Sequence, residues 1–193
     1  MSFLALGIGL PKTGTTTLCK AFREAGIIAL HHSAGWRLPP AGSLMVQAWK
    51  EGRSMNHYLH EVEVVTQLDS AGKDSNAWPQ FNMGFLRAFR SEYPLAWIIL
   101  HTRKPELTAI SLRRWGICTE KIAADTPGIT EKSTNSDITR WINDYYFAIR
   151  HEFKKDQRFL DFRVEDDPRE RLTKAFKTPF PWWGVENPYG KDE

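Results

Sequence analysis

Phe3-Leu4-Ala5-Leu6-Gly7-Ile8-Gly9-Leu10-Pro11-Lys12-Thr13-Gly14-Thr15-Thr16-Thr17-Leu18-Cys19-Lys20-Ala21-Phe22-Arg23-Glu24-Ala25 reads as strand, loop and helix in succession. The first seven residues are a short apolar run, the pattern of a strand buried on both faces. Leu18, Ala21, Phe22 and Ala25 fall at the i, i+3, i+4, i+7 spacing of one helix face, and Gly26 stops that helix. Between them lies a Gly/Thr-rich loop, Leu10 to Thr17, with a single lysine. Such a loop aims several backbone N–H groups and a helix N-terminus at one spot, which makes an anion site. Lys12 adds a point charge, and the hydroxyls of Thr13, Thr15, Thr16 and Thr17 add donors.

Working outward, the same alternation continues. Ile27 to Leu30 reads as a second strand that ends at His31-His32, and Pro39-Pro40 break the loop that follows. Leu44 to Lys50 is expected to be a short helix. Ser54 to Leu68 is expected to be another, with Leu59, Val62 and Val65 on one face, and Ala71 to Asn76 a turn or short strand edge. Pro79 suits the first turn of a helix that carries Phe81, Phe85, Leu86 and Phe89 and ends near Tyr93-Pro94. Ala96 to His101 is the clearest strand, a near-continuous apolar run, and Pro105 opens the next helix, to about Trp115. Thr126 to Asn135 is polar and is the best candidate for a mobile loop. Ser136 or Asp137 can cap a long helix with Ile138, Trp141, Ile142, Tyr145, Ile149 and Phe153 inward. Phe159 to Phe162 reads as a last strand, Pro168 to Phe176 as a last helix, and residues 179–193 as an irregular aromatic tail. The expectation is an α/β chain, a three-layer P-loop-type fold with a central parallel sheet flanked by helices. One domain should span residues 1–193, with substrate-side segments at about 31–78 and 116–136. Ligands in such sheets bind beyond the carboxyl ends of the strands, where both the Lys12 loop and Arg103 fall.

Composition narrows the partners. A formal charge of +3 over 193 residues suits an anionic ligand and gives no basic run of the kind that tracks nucleic acid. Cys19 and Cys118 are too few and too far apart for a metal site or a disulfide framework, so a reducing, cytoplasmic setting is expected. No signal peptide is read, and no apolar run reaches the roughly 20 residues of a membrane span. The sequence leaves a homodimer open.

The loop is close to the phosphate-binding loop of NTPases without being one. Gly9 and Gly14 have its spacing, but Thr15-Thr16 follow Gly14 where an NTPase places Lys and Ser/Thr. Here the lysine comes two residues before the second glycine. A second cluster lies at the end of the clearest strand: Arg103 leaves it, and Ser111 follows eight residues later inside a helix. A guanidinium gives bidentate contact to phosphate and a hydroxyl completes the shell. Alternatively, Arg103 pairs with a carboxylate and Ser111 is an ordinary helix residue. With Gly9 to Thr16, His31-His32, Asp74-Ser75 before Trp78-Pro79, Tyr93-Pro94, Ile98 to Arg103 and the closing Phe180-Pro181 to Asn187, the chain resembles a small P-loop sulfotransferase of the bacterial type. The two anion motifs are specific and the remaining matches are loose.

That resemblance implies a donor, PAPS (3′-phosphoadenosine 5′-phosphosulfate), and a product, PAP. It places Pro11, Lys12, Thr13, Gly14, Thr15, Thr16 and Thr17 around the 5′-phosphosulfate, and Arg103 and Ser111 around the 3′-phosphate. Lys12 would meet the bridging and leaving oxygens, the Thr13 to Thr16 amides the 5′-phosphate, with the Thr15 and Thr16 hydroxyls as further donors. No metal is expected. The acceptor would be a hydroxyl or amine of a small molecule, and its general base is sought, in order, at His32, Asp74, His31 and Asp69. Each of these is also readable as a solvated or capping loop residue. Two features depart from cytosolic members: Thr17 stands where they have an adenine-stacking Trp, which points to Trp182 and Trp183 instead, and their Arg-Lys-Gly segment has no counterpart. The rival readings are a P-loop kinase or NTPase, and a non-catalytic nucleotide-binding module. His57, His60 and His151 are expected on helices, away from the chemistry.

Overall fold

The computed structural model describes residues 3–33, 38–71, 76–124 and 126–185. Its centre is a five-stranded, wholly parallel sheet in the order β2-β3-β1-β6-β7, built from Ala29–Leu30 (β2), Val64–Val65 (β3), Ala5–Gly7 (β1), Trp97–Thr102 (β6) and Phe159–Arg163 (β7). The register sets Ala5 beside both Val64 and Trp97. Parallel strands covered on both sides should send alternate residues to opposite cores, because successive side chains point to opposite faces. They do. Leu6, Leu30, Val65, Ile98 and Leu100 enter one apolar cluster, and Ala5, Ala29, Val64, Ile99 and Phe162 enter the other.

The first cluster is covered by α2 (Ala41–Lys50), α3 (Met83–Glu92), α4 (Pro105–Trp115) and α6 (Asn135–Phe153). The second is covered by α1 (Thr15–Glu24), α7 (Arg169–Phe176) and the segment carrying Phe180, Trp182 and Trp183. The result is helix, sheet, helix in three layers, as expected. A short hairpin, β4 (Ser70–Ala71) with β5 (Asn76–Ala77), and a small helix α5 (Glu120–Ala123) complete the described elements. Among the described residues, no helix is long and apolar enough to cross a membrane.

The main departure from expectation lies between residues 54 and 68. Instead of a helix, residues 55–61 form turns, with His60 at a left-handed φ of 44°, and Val64-Val65 then form the strand between β1 and β2. Both valines are fully buried, one in each core. The three-residue spacing of Leu59, Val62 and Val65 imitates a helix face. However, the β-branched cluster Val62, Val64, Val65, Thr66 is better served on a pleated surface. His57 and His60 therefore lie in turns, and only His151 is helical.

Smaller differences have local causes. Pro79–Phe81 is a 3₁₀ turn, and α3 starts after Asn82, whose side chain accepts from the Phe85 amide at 3.1 Å. α6 is capped by Thr134 rather than by Ser136 or Asp137. Thr134 accepts from the Asp137 amide while the Asp137 carboxylate accepts from the Thr134 amide, a reciprocal box that satisfies two end donors. The polar 126–135 segment is fastened at several points. Trp141 donates to the Pro127 carbonyl at 2.6 Å, and Arg113 donates to Asn135 Oδ1 and to the Ser133 carbonyl.

Candidate functional site

The loop after β1 opens at the carboxyl edge of the sheet. Two of its residues take left-handed backbone: Gly14 at φ 85° and, unusually, Lys12 at φ 67°. A lysine there carries a steric cost of about 1 kcal/mol that glycine would avoid. The twist turns Lys12 outward, where it is exposed, while Thr13, one residue later, is fully buried. Gly14 is the N-cap of α1 and no side chain caps that helix end, so the leading amides of Thr15 and Thr16 face the concavity of the loop. A Cβ on Gly14 would also lie 2.8 Å from Val164, in the turn after β7.

Two histidines brace the loop, one from each side. His101, near the end of β6, is fully buried. Thr13 donates its hydroxyl proton to the Leu10 carbonyl at 2.5 Å, so its Oγ1 accepts from His101 Nδ1 at 3.1 Å, and the Thr13 carbonyl lies 3.2 Å from the same nitrogen. Gly9 makes this possible: a Cβ there would lie 2.2 Å from the imidazole ring. On the other side, His31 follows β2. Its Nε2 lies 2.8 Å from Thr15 Oγ1 and 3.2 Å from Thr16 Oγ1.

Burial pushes both imidazoles down to about 4. For His31, the neighbouring His32, His101 and Arg23 push in the same direction, and Gln67 opposes them. His32 is also held below the ordinary histidine value by burial. All three rings are therefore in the basic, neutral form at pH 7. The His32 carbonyl accepts from the Ala41 amide at 2.7 Å, which ties the histidine pair to the start of α2.

Beneath Thr15 runs a buried polar chain supplied by the segment after β3. Thr15 donates to Gln67 Oε1 at 3.0 Å, and Gln67 Nε2 donates to Asp69 Oδ2 at 3.0 Å. Gln80 Nε2 approaches Asp69 Oδ1 at 3.4 Å. Asp69 is wholly out of water, and desolvation raises its carboxyl to about 7 against the donors around it. Thr66 Oγ1 donates to the Thr15 carbonyl at 3.1 Å. The Tyr145 hydroxyl of α6, which also faces Asp69, donates to the Ile8 carbonyl, fixing the strand immediately before the loop.

Because the Thr13 and Thr15 hydroxyl protons are committed to Leu10 and Gln67, these two side chains are internal struts. The Thr15 hydroxyl, expected as a further donor to the ligand, donates here to Gln67. Thr16 is the half-exposed one of the three. Pro11 and Thr17 are buried at the loop's two shoulders.

The second anion cluster stands on the next strand. Arg103 follows β6 directly and is partly exposed, and Ser111 sits in the second turn of α4, half-buried. Among the described residues, no carboxylate forms an ion pair with Arg103. Since β1 and β6 are paired neighbours running in the same direction, the Lys12 loop and Arg103 share one edge of the sheet.

Asp74 lies outside the described residues. Trp78 is buried and makes edge contacts with Phe81 and Trp141 at 6.1 Å, so it is a core residue. Trp183 donates to the Val164 carbonyl at 3.0 Å, and Trp182 lies under Lys20 at 4.6 Å, so both stand beside α1. Gln67 and His101 were not among the sequence-derived site residues. Their roles depend on contacts 52 and 88 residues away along the chain. Among the described residues, no group of three or more His, Cys, Asp or Glu side chains is arranged to hold a metal ion.

A family model described as a sulfotransferase domain matches residues 5–114, more than half of the chain and every residue of the two anion clusters. No curated protein matches the chain.

Proposed function

We propose that this chain, which belongs to the sulfotransferase domain family, takes its sulfuryl group from PAPS, passes it to a hydroxyl or amine of a small acceptor and leaves PAP behind. Membership in the family brings sulfuryl transfer; the donor and the class of acceptor are our reading. The observation that carries it is the pairing of two separate cationic anion clusters at one sheet edge, the Lys12 loop after β1 and Arg103 after β6. A ligand with two phosphate groups at different positions fits such a clamp; a simple nucleoside triphosphate uses only the first half.

Sulfuryl transfer, like phosphoryl transfer, builds charge on the leaving oxygen in a loose transition state, so positioning and electrostatics carry the rate. The Thr13 to Thr16 amides hold the 5′-phosphate, and Lys12 faces the bridging and leaving oxygens. Its outward, left-handed backbone keeps the ammonium on the open side of the loop. Arg103, with Ser111, reads the 3′-phosphate. His31 is tied through Nε2 to Thr15 and Thr16, so it supports the loop. His32, next to it and neutral at pH 7, is the candidate that accepts the proton of the acceptor. Asp74 shares that candidacy from outside the described residues. Trp182, beside α1 and under Lys20, is the candidate platform for adenine in place of a residue at Thr17.

The test is equilibrium binding of PAP against AMP and ADP, followed by incubation with ³⁵S-labelled PAPS and a metabolite extract. Preference for PAP and a labelled small molecule are the expected results. Equal affinity for the three nucleotides overturns the donor assignment. Tight PAP binding without any labelled product turns the reading toward a nucleotide-binding module, and Mg²⁺-dependent ATP hydrolysis toward an NTPase.

A further inference from the structure

The geometry points to Gln67 and Asp69 as positioning residues that fix which nitrogen of His31 carries its proton and so leave one loop hydroxyl, that of Thr16, to donate to the bound anion. The inference rests on the sulfuryl-transfer reading only in what it says the anion is.

A threonine has one proton to give and two lone pairs. Gln67 presents its Nε2 to Asp69, so its Oε1 faces Thr15. Thr15 must then donate to Gln67, and its remaining contact, His31 Nε2 at 2.8 Å, must be one in which it accepts. His31 is therefore protonated at Nε2, and Nδ1 holds its lone pair. The same N–H also faces Thr16 Oγ1 at 3.2 Å, which accepts too and keeps its own proton. Of the three threonine hydroxyls that the described contacts resolve in the loop, this is the one left pointing a proton into it. With Gln67 Oε1 removed, Thr15 can turn its proton toward His31, which favours protonation at Nδ1 and changes what Thr16 can offer.

Asp69 anchors the chain at its buried end. Gln80 Oε1 is buried and has no partner among the described residues, while Gln80 Nε2 is 3.4 Å from the carboxyl. Turning the Gln80 amide over pairs that oxygen with a protonated Asp69. Either charge state of Asp69 thus keeps an oxygen for Gln67 Nε2, so the direction of the chain survives titration. The other groups around these two residues are His32, His101 and Arg23 toward His31, and Tyr145 toward Asp69.

The imidazole nitrogens can be read directly by long-range ¹H–¹⁵N NMR on the full chain, with neither donor nor acceptor present. Wild type should show His31 as the neutral Nε2–H form at pH 7. Gln67→Leu should shift it toward Nδ1–H, as should Asp69→Leu, whereas Asp69→Asn, which retains an acceptor for Gln67, should preserve Nε2–H. Should Gln67→Leu fail to fold, Gln67→Met gives the same readout. In turnover, loss of the Gln67 oxygen should lower kcat about 10-fold to 100-fold, with little change in the acceptor KM. Wild-type His31 found as Nδ1–H, or an unchanged His31 spectrum in folded Gln67→Leu or Gln67→Met, overturns the proposal. Since the spectrum needs no ligand, it decides the matter even if PAPS proves not to be the donor.

Discussion

His101 and His31 invite comparison because they start from the same numbers. Both imidazoles are pushed to about 4, both chiefly by burial, and both bond to a threonine of the same loop. They differ in what lies behind them. His101 is sealed between Gly9 and Thr13, has no exposed surface and bonds to a strut whose own proton is given to backbone. His31 sits at a strand end beside His32, retains some exposure and joins a chain of side chains that runs to Asp69. One histidine is part of the loop's foundation; the other lies against the first turn of α1, beside Thr15 and Thr16. A shared pKa direction therefore says that a group is buried and neutral, not what it is for.

Several experiments can break that distinction. His101→Ala empties a fully buried site and should cost about 3 kcal/mol in denaturant unfolding. His31→Ala should cost about 1 kcal/mol yet reduce kcat/KM at least ~100-fold. Equal stability losses would mean the two rings are the same kind of brace. Gly9→Ala, which forces a methyl onto the His101 ring and backbone, should cost about 2 to 3 kcal/mol; a folded, wild-type-like protein would show that the His101 side yields more easily than its packing implies. Arg103→Ala should weaken PAP about 10-fold to 100-fold while leaving a 3′-dephospho analogue almost untouched. Similar losses for both ligands would remove Arg103 from the 3′ end.

The pH dependence of stability tests both rings at once. Between about 6.5 and about 4 the unfolded imidazoles are protonated and the folded ones are not, so His31 and His101 each lower stability as pH falls through that window. Asp69 acts in the opposite sense: its folded value near 7 lies above the unfolded 3.8, so it lowers stability as pH rises through that range. His31 and His101 against Asp69 leave a net fall on acidification of about 1.4 kcal/mol per pH unit, to which the lowered His32 adds in the same sense. Asp69→Asn should steepen it by about a further 1.4 kcal/mol per pH unit, and an unchanged slope would place the Asp69 carboxyl in water. The smallest effect should be that of Lys12→Gly. Relief of the left-handed strain should outweigh the extra freedom glycine gives the unfolded chain and add up to about 1 kcal/mol of stability, while turnover collapses with the lost charge. A stability loss would mean that Lys12 has a structural partner.

Much of the fold was legible because its strands and helices signal locally. The apolar run into a Gly/Thr loop, the continuous Ala96 to His101 strand and Pro105 at a helix start each fix a boundary within a few residues. Val64-Val65 was not legible as a strand, because a two-residue element cannot show period-two alternation and its neighbours fell by accident at helical spacing. Losing that strand hid Gln67, whose importance arises only when the chain after β3 is laid against Thr15. His101 reads in the sequence only as the last residue of the Ala96 to His101 strand. Its pairing with Thr13 is a property of two strands side by side, not of either strand alone. Thr134 could have been found, since Thr-x-x-Asp ahead of an apolar stripe is a capping pattern.

The central position of β1 has a consequence for how the molecule assembles. β1 and α1 are adjacent in sequence, but β1 is held by Val64-Val65 on one side and Trp97 to Ile99 on the other. A sheet of this kind gains nothing from β1 until both distant partners have been brought in, and closing those long loops is the slow part of folding. The anion loop should therefore acquire its shape late and all at once, together with His101 and Gln67. A fragment ending before β6 should hold every residue from Gly9 to Thr17 and still have no pocket to bind with.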